Sequence, residues 1–208
     1  LDKKEKEMKK TLGFLGNEIF LGTMIALLSV FTAVASYQGS MADSDQNKNE
    51  IAGMKALNDG NAEYLRANQL WTQDDNNYDN WYLNYEKNPD VAAYYEGNFT
   101  EHLTAAIERN GGDEYPMDEE YATAIYADAV AYWDESDASF DLASKWDERG
   151  DNLQLVMLIM ALGLAFAAWA SLLKEESNMR LMFSLFGLVT LAAGLLVYFT
   201  LVISQPIA

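Results

Sequence analysis

Three apolar stretches without a single charge, Ile19 to Tyr37, Leu153 to Leu173 and Leu181 to Ile203, limit what this chain can become. Each is close to the ~20 residues a helix needs to cross ~30 Å of hydrocarbon, and a helix satisfies its own backbone polar groups where no water does so. The sequence therefore predicts an all-α protein of the lipid bilayer, with three transmembrane helices and a helical extracytoplasmic domain inserted between spans 1 and 2. The expected order is a Lys-rich cytoplasmic start (1–18), a first span (19–37) and an acidic, aromatic-rich domain (38–152). A second span (153–173), a cytoplasmic link (174–180), a third span (181–203) and an extracytoplasmic tail (204–208) follow.

The charge is confined to the segment between the first two spans. Residues 38–152 hold 26 Asp plus Glu against 7 Lys plus Arg, a net of −19 in a chain whose total is −18. Such a surface repels nucleic acid and anionic lipid headgroups and attracts cations or basic partners, so nucleic-acid binding is excluded as a function class.

Orientation follows from the basic residues beside the spans. Lys3, Lys4, Lys6, Lys9 and Lys10 precede the first span, and Lys174 and Arg180 sit between the second and third. Basic flanks stay in the cytoplasm, which puts the acidic domain outside the cell membrane. Ala33-Val34-Ala35 also fits a signal-peptidase site, but the segment is read as an uncleaved anchor. The chain has no Cys. Small outward domains of eukaryotic secretory systems are usually disulfide-stapled, so this composition leans toward a prokaryotic envelope, and the acidity toward one that meets salt. Asn98-Phe99-Thr100 spells an N-glycosylation sequon on the expected outer side.

Within the acidic segment, apolar and aromatic residues recur at three- and four-residue steps, the helical rhythm. Met54, Leu57, Asn61, Tyr64, Asn68, Trp71, Asp75, Tyr78, Tyr82 and Tyr85 trace one long helix running on from the first span, with a break expected between Asp74 and Asn80. Asn88-Pro89 reads as a cap and first helical residue. A single second helix is expected from there to Asn110-Gly111-Gly112, carrying Val91, Tyr94, Tyr95, Phe99, Leu103 and Ile107. Asp118, Glu119 and Glu120 mark the start of a third helix through Tyr126, Val130, Trp133, Phe140 and Trp146, which enters the second span with Gly150 as an expected kink.

Most of the 12 Tyr and 5 Trp lie in this segment, whereas its Leu, Ile, Val and Met are few. Rings with polar tips suit contact surfaces that stay partly wet, so some are expected to meet another chain and the rest to fill a thin core. The spans carry no ionisable residue apart from Glu18 at one edge, and so offer no relay or conduction chemistry. Ala161, Gly163, Ala165, Ala167 and Ser171 in the second span, and Gly187, Ala193 and Gly194 in the third, allow close helix approach within the chain or between copies.

One segment suggests a cation. Asp75, Asn77, Asp79 and Glu86 occupy positions 1, 3, 5 and 12 of an EF-hand-like loop, with Asn80 where Gly is usual, so calcium is the one cofactor the sequence suggests. A solvated acidic break between helices accounts for the same residues. Asp43 to Asn47 lacks the closing Glu, since Met54 stands in its place, and Asp134, Asp137 and Asp141 read as a hydrated helix face. No nucleophile elbow, phosphate-binding loop, dinucleotide fingerprint or zinc spacing occurs, and the single His102 reads as a surface residue. A non-enzymatic role is expected.

The Lys-rich start, single span, Tyr/Trp-rich helical segment and Ala/Asp-rich helix, with Tyr132, Trp133 and the Arg149-Gly150-Asp151 junction before a two-span hairpin, resemble a family of prokaryotic three-span membrane proteins of unknown function. That resemblance implies the architecture and no activity. Two roles follow from the residues themselves: a scaffold or accessory subunit, in a homo-oligomer or with other membrane proteins, or a transport or channel component whose acidic domain gathers cations.

Overall fold

The computed structural model describes residues 13–111 and 114–204. Lys3 to Lys10, Gly112 and Asp113 and the last four residues of the chain lie outside the described residues. All regular structure among the described residues is helical. A 3-10 turn, Gly13–Gly16, precedes α1 (Glu18–Asn84), α2 (Pro89–Glu96), α3 (Glu101–Asn110), α4 (Glu119–Leu172) and α5 (Asn178–Val197), which continues as a π-helical turn, Tyr198–Ile203. Three of these helical runs, Glu18–Asn84, Glu119–Leu172 and Asn178–Ile203, are long and apolar enough to cross a membrane.

The chain divides into two compact units, one comprising Glu50–Phe140 and the other the chain up to Asn49 together with the chain from Asp141 on. In the second of these, buried positions recur at steps of three and four. Leu21, Met24, Leu28, Ala35 and Ala42 on α1 pack in one core with Leu153, Val156, Met160, Ala167 and Ala170 on α4 and with Leu191 on α5. This alternation is the spacing of left-handed bundles, in which ridges and grooves stay in register along the helices. Leu27, Val30, Leu158, Leu162, Val189 and Leu196 face outward, as membrane helices require.

The small residues divide the same way. Gly163, Ala167, Gly187 and Gly194 are buried inside the chain, whereas Ala161, Ala165 and Ser171 are exposed. A Cβ on Gly187 would come 2.9 Å from Met24 Cε, and one on Gly194 2.7 Å from Met160 Cε. The helix that carries the third apolar stretch starts at Asn178, three residues before Leu181. α4 runs without a break through Gly150, the position of the expected kink. Its bare backbone instead admits α1: a Cβ there would lie 3.1 Å from an Asp43 carboxylate oxygen and 3.9 Å from the Ala42 methyl.

In the Glu50–Phe140 unit, the contact stripe of α1 lies one position before the expected one at Gly53, Ala56, Gly60, Ala67 and Asp74, and meets it again at Tyr78. Gly53, Ala56, Gly60, Ala67, Asp74 and Tyr78 are buried, while Met54, Leu57 and Tyr64 are exposed. The reason is the partner surface. On α4, Trp133 covers Gly60 and the Phe140 ring covers Gly53, and both rings fit only where α1 has no side chain. Polar tips are matched across the same contact: Ser136 donates to the Gly53 carbonyl (2.9 Å), Tyr126 to Asn68 (2.6 Å) and Trp133 to Asn61 (3.4 Å).

Two expectations about helix boundaries are corrected. α1 does not break between Asp74 and Asn80 but runs to Asn84, since residues 61–84 contain neither Gly nor Pro. The Asn side chains expected to turn the chain instead donate one turn back: Asn76 to Thr72, Asn80 to Asn76 and Asn84 to Asn80 carbonyls, each at 2.7–2.8 Å. The expected single second helix is two, α2 and α3, parted at Gly97 to Thr100. Thr100 takes extended backbone and its hydroxyl accepts the Leu103 N–H at 3.1 Å, so it starts a helix and cannot continue one. The ends at Asn88-Pro89 and at Gly111, whose φ is 64°, form where expected.

Candidate functional site

Asp74 is the hub of the Glu50–Phe140 unit. It is fully buried on α1, and its carboxylate accepts from the Thr100 N–H (3.2 Å), the Thr100 hydroxyl and the Tyr121 hydroxyl (2.8 Å). One side chain thereby ties α1 to the start of α3 and to the first turn of α4. A buried carboxylate is tolerable only when donors surround it, and the N-terminus of α3 adds the favourable end of a helix dipole. Burial, then the bond to Asp74, raises the Tyr121 hydroxyl pKa well above that of a free tyrosine.

Around this hub packs a ring cluster of Tyr78, Trp71, Trp81, Phe99 and Tyr121, with Leu103, Ala106 and Met117. Trp71 meets Tyr121 edge to face at 5.4 Å and Trp81 meets Phe99 at 6.0 Å, geometries that aromatic quadrupoles favour. A second polar tie closes the unit. Arg109 at the end of α3 grips Asp118 through Nη2 at 2.5 and 2.6 Å, and Asp118 accepts the Tyr121 N–H at 2.8 Å as the N-terminal cap of α4. That guanidinium holds the Asp118 carboxyl at about 2, below the usual carboxylate range.

The four residues expected to form a calcium loop are not gathered into one. Asp75, Asn77 and Asp79 lie within continuous helix, and Glu86 lies in the turn beyond it. An EF-hand-like loop must wrap its chain around the ion, and a helix sends Asn77 away from Asp75 and Asp79. Asp75 accepts from the Tyr115 hydroxyl, and Asn77 donates to the Asn98 carbonyl at 3.1 Å. Among the described residues, no group of three or more His, Asp and Glu is arranged to hold a metal ion. Asn98 is exposed and donates to the Tyr94 carbonyl (2.6 Å), while the sequon's Thr100 is committed to Asp74. His102 is exposed on α3, and Asp134, Asp137 and Asp141 are exposed on α4.

Not all rings are inside. Tyr82 and Leu83 on the last turn of α1, Tyr85 just after it, Tyr94 on α2 and Tyr115 before α4 are each more than half exposed. Tyr82 and Tyr115 both rest on Tyr78, at 6.3 and 5.9 Å, and Tyr85 rests on Trp81 at 5.1 Å. The steps from Asp75 to Asp79 to Tyr82 place these three on one face of α1. Burial and the bond to Asp75 raise the Tyr115 hydroxyl pKa. This is an exposed acidic and aromatic surface standing on buried rings.

The other unit has its own polar centre, which the sequence reading missed. Arg180 was expected in an exposed link, yet it lies in the first turn of α5 and is 3% exposed. Its Nε donates to the Gly16 carbonyl (2.8 Å) and Nη1 to the Leu173 carbonyl (2.6 Å), capping the end of α4 and holding the Gly13–Gly16 turn. Ser184, one turn on, donates to the Leu15 carbonyl at 2.6 Å. Nη2 is buried without a hydrogen-bond partner among the described residues, a condition that costs about 1–3 kcal/mol or more for a charged group. The sequence signal was the spacing Arg180, Ser184, Gly187, which places all three on the inward face of α5. At the other end of α5, Tyr198 donates to Gln38 at 3.0 Å. Compared with known proteins, the chain matches no family model, no curated protein and no solved structure.

Proposed function

We propose that this is a three-pass protein of a prokaryotic cell membrane that acts without catalysis, as a scaffold or accessory subunit. Its N-terminus is cytoplasmic, and its acidic domain (38–152) lies outside the bilayer and docks on a further copy or on another envelope protein. The observation that carries the reading is the exposed surface of Tyr82, Leu83, Tyr85, Tyr94 and Tyr115. Tyr supplies large, stiff contact area with a polar tip, and exposed rings of this kind are enriched at interaction sites. The basic residues flanking the spans support the orientation.

Two measurements test the reading. The chain has no Cys, so a cysteine introduced at exposed Lys87 should react with a membrane-impermeant reagent in intact cells, and one at exposed Glu176 should not. The reverse pattern overturns the orientation. Mass measurement in mild detergent should show a particle heavier than one 23.3 kDa chain, and Tyr82→Ala with Tyr85→Ala should shift it toward the single chain. A single chain at every concentration, with no partner retained from native membranes, overturns the scaffold role.

A further inference from the structure

We infer that Arg180 and the groove beside it form a binding site for one anionic phospholipid of the bilayer. Two of the three guanidinium nitrogens are spent on the Gly16 and Leu173 carbonyls, Nη2 is buried and bare, and no carboxylate among the described residues pairs with the charge. A guanidinium nitrogen with no acceptor of its own is a charged donor for an oxyanion. Its depth names the source: Arg180 sits in the first turn of a membrane-crossing helix, Asn178–Ile203, and Trp169 in the last turn of α4 is 60% exposed, as belt aromatics at headgroup level are. The anion abundant at that depth is a lipid phosphate. The positive end of the α5 dipole adds to the attraction.

An acyl chain has its own place beside it. Ala165, Phe166, Trp169, Leu173, Met179 and Phe183 line a groove of about 410 Å³ between α4 and α5, within the range of small-molecule sites of roughly 300–1,000 Å³. Leu173 belongs to both parts, since its carbonyl accepts Arg180 Nη1 and the residue lines the groove. Nη2 is closed to water, so seating the phosphate takes a local side-chain movement. A phosphatidylglycerol headgroup brings no cation of its own, whereas the choline of phosphatidylcholine already offsets its phosphate. The site therefore prefers the former.

The test uses the full chain in neutral detergent. Native mass spectrometry with equal phosphatidylglycerol and phosphatidylcholine should show one phosphatidylglycerol retained per chain. Phosphatidylglycerol should also raise the melting temperature, while phosphatidylcholine and inorganic phosphate should not. Arg180→Gln should lower phosphatidylglycerol retention about tenfold or more, the loss expected for one charge-assisted bond. If Arg180→Gln does not fold, Ala165→Trp decides, because Ala165 is exposed and a ring there fills the groove while leaving the guanidinium in place. Lowered retention in that variant supports the site. Equal retention of the two lipids by the unmodified chain, an unchanged preference in Arg180→Gln, unchanged retention in Ala165→Trp, or equal stabilisation by inorganic phosphate overturns it.

Discussion

Removing the Asp74 carboxylate should release α2 and α3 before anything else in the protein gives way. Three donors converge on it: the Thr100 N–H, the Thr100 hydroxyl and the Tyr121 hydroxyl. A hydrogen bond to a charged group is worth about 1.5–3 kcal/mol net, and removing one member of a buried charged network costs about 3–5 kcal/mol. Asp74→Ala should therefore destabilise by about 3–5 kcal/mol, less than the sum of three bonds because the cost of burying the charge disappears with it. Tyr121→Phe, which deletes one bond and leaves two, should lie near the single-bond range of about 1.5–3 kcal/mol. Thr100→Ala should lie between them, since it removes one Asp74 bond and also the cap on Leu103, worth about 1 kcal/mol. The assay is hydrogen exchange by mass in mild detergent, followed on peptides within 89–111. At 1.4 kcal/mol per tenfold, Tyr121→Phe should accelerate exchange there by about 10- to 100-fold and Asp74→Ala by more, with α5 peptides unchanged. Exchange of α3 within about twofold of the unmodified chain in Asp74→Ala, or equal acceleration in α5, would refute the hub.

Three further outcomes are expected. Gly60→Ala gains about 1 kcal/mol of helix propensity but sets a methyl 2.7 Å from Trp133, an overlap costing about 1–3 kcal/mol, so its melting temperature should fall. It should fall further than that of Gly53→Ala, where the nearest ring atoms of Phe140 are 3.0 Å away. The Asp118 pKa is depressed by Arg109, so its stabilisation is complete above its unfolded value of 3.8 and fades as pH falls toward about 2. Acid melts between pH 5 and pH 2 should be shallower for Asp118→Asn than for the unmodified chain. The Tyr121 pKa is raised, so its contribution is complete below the unfolded tyrosine value of 10.0 and is lost as pH rises beyond it. Tyr121→Phe should remove part of the alkaline loss.

The helical class, the three helices long and apolar enough to cross a membrane and the long continuations of α1 and α4 were legible because hydropathy and period act locally. The details that define the site were not, for a common reason. Asp74 and Asp75 are adjacent and chemically identical, yet one is fully buried among donors and the other half-exposed beneath Tyr115. Only the partner helices decide which carboxylate is the hub. Asp75, Asn77 and Asp79 carry the residue types of an ion loop, but a Pro-free and Gly-free run keeps them helical, and propensity for turns loses to continuity. Arg180 read as a topogenic surface charge, and nothing in its neighbours' identity revealed that two chain ends, Gly16 and Leu173, would turn their carbonyls toward it.

The same packing changes what the aromatic composition means. Counted along the sequence, the rings between the spans look like a surplus available to partners. In the fold, α1 offers Gly53, Ala56, Gly60 and Ala67 as its contact stripe, and a stripe that small leaves a gap that aliphatic side chains of ordinary length would not fill. Trp133 and Phe140 fill it by packing against bare backbone, while Tyr121, Tyr126 and Trp133 anchor their polar atoms on Asp74, Asn68 and Asn61. Those rings are internal structure, and replacing them tests folding. The interaction reading rests instead on Tyr82, Tyr85, Tyr94 and Tyr115, each supported from beneath or beside by another ring or by Asp75 and therefore held in place before any partner arrives. A ring already immobilised loses less side-chain entropy on docking, which is what distinguishes a built contact surface from tyrosines that are merely exposed.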